Sequence, residues 1–290
     1  MLCANEWEDY EIIDASRGQK LERWKDIYLL RPDPQIVWDH GDLLEKYHSM
    51  IHAVYYRSSK GGGHWDNLKQ MPSSWNVFYK DYTFHIKQMG FKHTGLFPEQ
   101  AVNWDFMRQK IKSAHRKIRV LNLFAYTGGA TVACLSAGAS VCHVDSSRGM
   151  VDWCKENVKS SGYENADVRY IVDDVVKFVQ REIRRGNKYD AIVMDPPSYG
   201  RGTKGEVWDI EKNLNYLVEL CSEILSDQPL FFLINSYTTG LSSTVLANIL
   251  RLTVNEKYQG IVTSGEVGLP IKCNDLILPC GIYGRWESNE

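Results

Sequence analysis

The heptapeptide Met194–Gly200, MDPPSYG, ends the apolar run KYDAIV. No packing requirement asks a core strand to end in an acid, two prolines and an aromatic. Proline lacks a backbone donor and stops a strand. A carboxylate at the mouth of a sheet must be solvated, hydrogen-bonded or used. Three further stretches carry residues of the same kind: FAYTGGAT at 124–131, Asp145 lying 17 residues past Gly128, and the pair Asp173–Asp174. Gly128 and Gly129 let a backbone approach a ligand and open a helix N-terminus. Asp145 suits a ribose diol, which offers a carboxylate two hydrogen bonds. Acids on neighbouring strand ends repel one another unless a ligand brings donors or positive charge.

The surrounding pattern must place these residues together. From residue 119 strands and helices alternate: RVLNLFAY, GGATVACLSAG, SVCHVDS, RGMVDWCKENVKSSG, DVRYIVDD, VVKFVQREIRRG, YDAIVMDPP, EKNLNYLVELCSEILS, PLFFLINSY and SSTVLANILRLTVNEK. This spacing predicts βαβ units and a parallel sheet covered on both faces. IVTSGEVGLP and DLILPCGIYGRW are joined only by IKCN, too short for a crossover, so they predict an antiparallel pair. In such a sheet, ligands sit beyond the carboxyl ends of the strands. Asp145, Asp173–Asp174 and Asp195 all fall there. The first ninety residues differ, with short β-like runs and polar turns. WNVFYKDYTFHI predicts a hairpin around Lys80–Asp81, and the glycines at 61–63 read as a loop rather than a phosphate loop.

The chain has 290 residues and is 43% hydrophobic, enough for a large core. It shows no apolar run of membrane-spanning length and no signal-peptide pattern at its N-terminus. Seven cysteines without CxxC or zinc spacing favour a reduced, cytoplasmic setting and argue against disulfides or a structural metal. The net charge of −2 excludes nucleic-acid binding by bulk charge alone. Contact with a polyanion would rest on local clusters: HRKIR at 115–119, REIRRGNK at 181–188 and RGTK at 201–204.

The loop A-Y-T-G-G-A lacks the GxGxxG spacing of a dinucleotide site. An acid-rimmed pocket fits a cationic nucleoside without phosphates, and S-adenosylmethionine has that chemistry: a sulfonium, an amino group, a ribose diol, an adenine amine and a single carboxylate. From about residue 91 to the end, the chain resembles class I S-adenosylmethionine-dependent methyltransferases. Within these it is similar to the bacterial large-subunit ribosomal RNA methyltransferase group, through FKHTGLFPEQAVNWDFM at 91–107, NLFAYTGGAT, VDSS, VDD and DPPSYGRG.

The resemblance implies a Rossmann-like α/β fold. Its seven-stranded, mostly parallel sheet has an antiparallel last strand, and residues 91–290 form it behind a small β-rich extension of 1–90. It implies that Asn122 and Phe124, Ala125, Tyr126, Thr127, Gly128 and Gly129 wrap the methionine part. Asp145, Ser146 and Ser147 would hold the ribose, and Asp174, with Asp173 beside it, the adenine amine. Thr94, Gly95, Phe97, Pro98, Glu99 and Gln100 would fold over the cofactor as a flap. S-adenosylhomocysteine would be the product.

DPPSY then reads as a site for an exocyclic amine. The Asp195 carboxylate and Pro196 carbonyl would accept its two N–H bonds, Pro197 would stiffen the turn, and Tyr199 would stack the base. The familiar pattern places the aromatic directly after the prolines; Ser198 stands there instead, with Tyr199 one step later. Methylation of a ring carbon would need a thiolate, for which Cys280 in LPCG is a candidate. Arg201, Lys204 and Trp208 in the following glycine-rich stretch could reach RNA phosphate and a neighbouring base. The expected substrate is a base in 23S ribosomal RNA. A small-molecule or protein N-methyltransferase, and a cofactor-binding RNA module without catalysis, are the competing readings.

Overall fold

A computed structural model describes residues 1–58, 62–201 and 205–289. The chain divides into two compact units. One comprises Leu2–Val102 and Val267–Cys280; the other is formed mainly by Asn103–Glu266 and Gly281–Glu290. The first unit thus runs through Val102 and takes in a C-terminal segment.

In the first unit five strands pair in chain order: Tyr10–Ser16, Gln19–Trp24, Ile27–Pro32, Ala53–Arg57 and Gly63–Asn67. Ile27–Pro32 and Ala53–Arg57 run parallel, because the helix Leu43–Tyr47 lies between them in sequence. The predicted hairpin forms, with Tyr79 opposite Tyr82 across Lys80–Asp81. Gly63 sits opposite Arg57, where a Cβ would come 2.1 Å from the Tyr56 carbonyl oxygen and 2.7 Å from the Tyr55 hydroxyl. That close approach, not a phosphate loop, explains the last glycine of the run; Gly61 lies outside the described residues.

Asp14 is buried in this unit and is met from several directions. Its Oδ1 accepts from Ala15 N and Cys273 Sγ and lies 3.0 Å from His40 Nδ1, while Oδ2 accepts from Lys46 Nζ and Tyr47 OH. Asp14, His40 and Cys273 bring a carboxylate, an imidazole and a thiol within 4.8 Å of one another. Sequence spacing hid this grouping, because its members stand at 14, 40 and 273. Lys46 answers the buried charge.

In the second unit the sheet order is Gly260–Pro270, Ile277–Ser288, Phe231–Ser236, Ala191–Met194, Arg119–Leu123, Ser140–Asp145 and Val168–Val172. The last five are parallel to their neighbours in that order, and Ile277–Ser288 runs antiparallel to Phe231–Ser236, the antiparallel last strand that the resemblance implied. Leu2–Cys3 pairs in parallel with Val267–Gly268, both stretches of the first unit, and brings the hydrogen-bonded sheet to eight strands rather than seven. Ala191–Met194 is buried at every position, the signature of a strand covered on both faces. Leu121, Leu123, Val144, Phe178, Ile192, Met194, Leu217 and Phe232 form one core.

Each crossover ends in chemistry the sequence announces. Asp174 caps the helix Val175–Arg185 by accepting from Lys177 N at 2.9 Å, and Gly186 closes it at φ 67°. Ser147 caps Arg148–Ser160. Among the described residues no helix is long and apolar enough to cross a membrane.

Candidate active site

Backbone hydrogen bonds draw the strand ends side by side. Ala125 N donates to Val144 O at 3.1 Å, Asp173 N to Asp145 O at 3.1 Å, and Asp195 N to Leu123 O at 3.4 Å. The loop after Arg119–Leu123 is wound tightly. Phe124, Tyr126 and Gly128 all have positive φ, at 53°, 51° and 85°. Two non-glycine residues in this region cost roughly 1–3 kcal/mol each, and such strain persists where surroundings over-determine it.

Those surroundings are visible. Tyr126 N donates to Asp145 Oδ2 at 2.9 Å, and Asn157 Nδ2 donates to Thr127 O at 2.8 Å. A Cβ on Gly128 would meet Cys154 Sγ at 2.2 Å, and one on Gly129 would meet Trp104 Cζ2 at 2.6 Å. Both glycines are thus demanded by packing from beneath, an origin that the sequence pattern does not reveal.

Asn122 is buried, and its amide donates to Thr131 Oγ1 at 2.9 Å, below the loop. Thr131 Oγ1 is also 2.9 Å from Nδ1 of the fully buried His143, which lies 3.4 Å from Cys154 Sγ. Ala125 and Thr127 are buried as well. Side chains of this stretch therefore build the support, and its backbone forms the upper surface. His143, Cys154, Asn157 and Trp104 went unnoticed in the sequence because each looks like an ordinary core residue.

Asp145 is half-buried. Its Oδ1 accepts from Ser147 N at 2.8 Å, beside the Tyr126 contact to Oδ2. Burial raises its pKa, and the two backbone N–H groups oppose the rise. Asp173 accepts from Asp174 N at 2.9 Å and pairs with Arg181. Ser146, Ser147, Val172, Asp173, Asp174 and Arg181 help to line a cleft of about 630 Å³, joined by Arg148, Lys177, Arg201 and Glu206. Among the described residues lining this cleft, Arg148, Lys177, Arg181 and Arg201 stand with Asp173, Asp174 and Glu206, while Asp145 and Asp195 are not part of its lining. Arg181, part of the basic cluster at 181–188, pairs with Asp173, and Lys177 with Glu206.

The DPPSYG segment follows a strand that is buried throughout. Asp195 is half-buried, Pro196 buried, and Pro197 and Ser198 exposed; Tyr199 is 55% exposed. Trp208 Nε1 donates to Pro197 O at 2.7 Å, Ile210 N to Ser198 O at 3.1 Å, and Ser198 Oγ lies 2.7 Å from Thr238 Oγ1. Tyr199–Arg201 pairs antiparallel with Val207–Asp209. Trp208 is buried, its ring 4.9 Å from that of Phe124. It braces the loop and does not offer a stacking face. Lys204 lies outside the described residues.

The profile of a family described as S-adenosylmethionine-dependent methyltransferase matches residues 47–242. The chain belongs to the S-adenosylmethionine-dependent methyltransferase family. A crystal structure of the SAM-dependent methyltransferase from Agrobacterium tumefaciens is 34% identical, with a TM-score of 0.91 over 99% of this chain and 92% of that one. Ribosomal RNA large subunit methyltransferase K of Neisseria meningitidis is 30% identical over 57% of this chain and 44% of its own length. Methyltransferase K/L of Pseudoalteromonas atlantica is 31% identical over 53% of this chain and 21% of its own. The chain thus spans less than half the length of these two curated relatives.

S-adenosylmethionine is the cofactor of this family, and the residues present fit it. The Asp145 carboxylate, fixed by two backbone donors at the end of a parallel strand, keeps further lone pairs for a diol. In this methyltransferase Thr94–Gln100 belong to the first compact unit. Thr94, Glu99 and Gln100 are buried, and Trp7 Nε1 donates to Pro98 O at 2.9 Å. Cys280 does not fit a nucleophile's role: burial, aided by Glu99, pushes its thiol well above the ordinary range, and Sγ donates to Leu278 O at 3.4 Å.

Proposed function

We propose that this methyltransferase methylates an exocyclic amine of a base in ribosomal RNA, that of the large subunit, in the cytoplasm. The observation that carries this reading is the pinned Asp195–Tyr199 segment. Its path is fixed by Trp208 and Thr238, and it ends in an exposed aromatic ring. The names of the curated relatives support RNA as the substrate.

Asp145 with Ser146 and Ser147 holds the ribose, Asp173 and Asp174 lie by the adenine, and the Phe124–Gly129 backbone with Asn122 supports the methionine part. Thr94, Gly95, Phe97, Pro98, Glu99 and Gln100 form a flap, and residues 1–90 are an extension that widens the RNA surface. When bound, the sulfonium supplies an activated methyl group. The Asp195 carboxylate and Pro196 carbonyl accept the two amine N–H bonds and aim the nitrogen lone pair at that carbon. With the amine so held, its nitrogen would take up that methyl group and its surplus proton would pass to water. Positioning and electrostatics carry the rate. Pro197 stiffens the loop, Ser198 ties it to Thr238, and Tyr199 stacks on the base.

Purified protein given labelled S-adenosylmethionine and ribosomal RNA from cells lacking it tests the reading. Nucleoside mass mapping should then locate one methylated amine. Label on protein or metabolite and none on RNA would reject it.

A further inference from the structure

We infer that the first compact unit carries a phosphodiester-binding pocket, built by Arg57, Lys92 and His93 with the rings of Tyr55 and Phe91, that holds single-stranded RNA. The inference rests on the RNA reading above and adds to it a contact separate from the DPPSY segment. The pocket is a cavity of about 330 Å³ lined by these five residues, Ser58 and Gly62.

The segment bearing Phe91, Lys92 and His93 is anchored. Arg31 Nη1 donates to Lys92 O at 2.8 Å, and Arg31 is itself forked onto buried Glu22 at 2.5 and 2.7 Å. Trp65 Nε1 donates to Met89 O at 2.9 Å, and Lys87 N to Thr94 O at 3.2 Å. A ligand would therefore meet preformed groups.

The described lining residues include Arg57, Lys92 and His93 and no acid. Lys20, Arg31, Arg57 and Lys92 act on His93; among the described residues Asp33 acts on Lys92 and pairs with Lys20 at 3.2 Å, Glu22 is taken by Arg31 and Lys20, and Glu99 acts on Arg31. The hydrogen bond of Lys92 Nζ is to the Pro32 carbonyl at 3.5 Å. Burial and the surrounding cations lower Lys92 to about 8 and His93 to about 4. An entering phosphate offsets that repulsion.

Beside the cations, Phe91 is 61% exposed. A cationic pocket next to a solvent-facing ring matches alternating phosphate and base, which an acidic peptide or a lipid headgroup does not supply.

Fluorescence anisotropy with a labelled single-stranded oligoribonucleotide, read across a salt series, tests this. R57Q/K92Q should bind about tenfold more weakly or worse at low salt, with its log–log salt slope shallower by about 1.4. Phe91→Ala should weaken binding about fivefold or more. All variants should keep wild-type affinity for S-adenosylhomocysteine, which confirms that they fold. Unchanged RNA affinity and slope overturn the pocket even if RNA is methylated. Binding of polyglutamate or phosphatidylglycerol vesicles with none of the oligoribonucleotide overturns it too. If no RNA accepts methyl, the catalytic reading fails, yet loss of oligonucleotide binding in these variants still upholds the pocket.

Discussion

The indole of Trp208 donates to the carbonyl of Pro197 at 2.7 Å while its ring lies 4.9 Å from Phe124. One buried side chain therefore joins the loop after the strand Arg119–Leu123 to the loop after Ala191–Met194. The first carries the glycines and the second the prolines. Trp208→Leu removes the donor and leaves the Pro197 carbonyl without it. Methyl transfer should fall about ten- to hundredfold, as expected when reacting groups are misplaced by roughly 1 Å. Affinity for S-adenosylhomocysteine should change little. Single-turnover rates and calorimetry separate the two, and an equal loss in both would contradict a positioning role.

Asp195→Ala should abolish most methyl transfer while leaving cofactor affinity near wild type. The carboxylate is assigned to the acceptor amine and not to the donor. Rate loss of about a hundredfold is expected from removing an orienting hydrogen-bond acceptor in a water-poor site. Retained turnover on RNA would show that another group orients the amine.

Asp145→Asn tests the opposite half. Both carboxylate oxygens accept backbone N–H bonds, from Ser147 and Tyr126. An amide can answer only one of them and turns its NH₂ toward the other. Stability should drop by about 1–3 kcal/mol, and S-adenosylhomocysteine should bind about tenfold more weakly or worse. Urea titration and calorimetry read these changes independently.

Gly128→Ala forces a Cβ to 2.2 Å from Cys154 Sγ at φ 85°. Strain and overpacking together should destabilise the fold by roughly 2–4 kcal/mol. Cys154→Ala in the same chain removes the sulfur and should recover part of that loss, leaving the backbone strain. A double-mutant cycle from chemical denaturation gives the coupling; strict additivity would refute contact as the cause.

Burial lowers His143 from 6.5 to about 3. Between these values the unfolded chain binds a proton that the folded protein refuses. This contribution is full above pH 6.5 and is lost as pH falls, at up to about 1.4 kcal/mol per pH unit. His93, lowered to about 4, acts in the same direction, so the difference between wild type and His143→Gln is the informative quantity. Between about pH 6 and pH 5 the stability slope of the variant should be shallower by up to about 1.4 kcal/mol per unit. Parallel slopes would mean that His143 titrates normally.

Several elements were readable without coordinates because their signals are local. Alternating strands and helices, the caps at Ser147 and Asp174, and the hairpin at Lys80–Asp81 each follow from a few adjacent residues. The antiparallel last strand, Ile277–Ser288 against Phe231–Ser236, was legible only through the family resemblance. The acids at the strand ends were also visible, but their electrostatics were not. Lys177 and Arg181 stand in the first and second turns of a helix, and only its packing sets them against Glu206 and Asp173.

By itself the sequence determined the order of elements and which residue types cap each parallel strand, since periodicity and turn chemistry act over a few positions. The tertiary structure decided what those residues face. Gly128 answers Cys154, Trp208 braces Pro197, and Arg57 shares a cavity with Lys92. Contacts between residues far apart in the chain depend on how whole elements pack, which no short window of residues encodes.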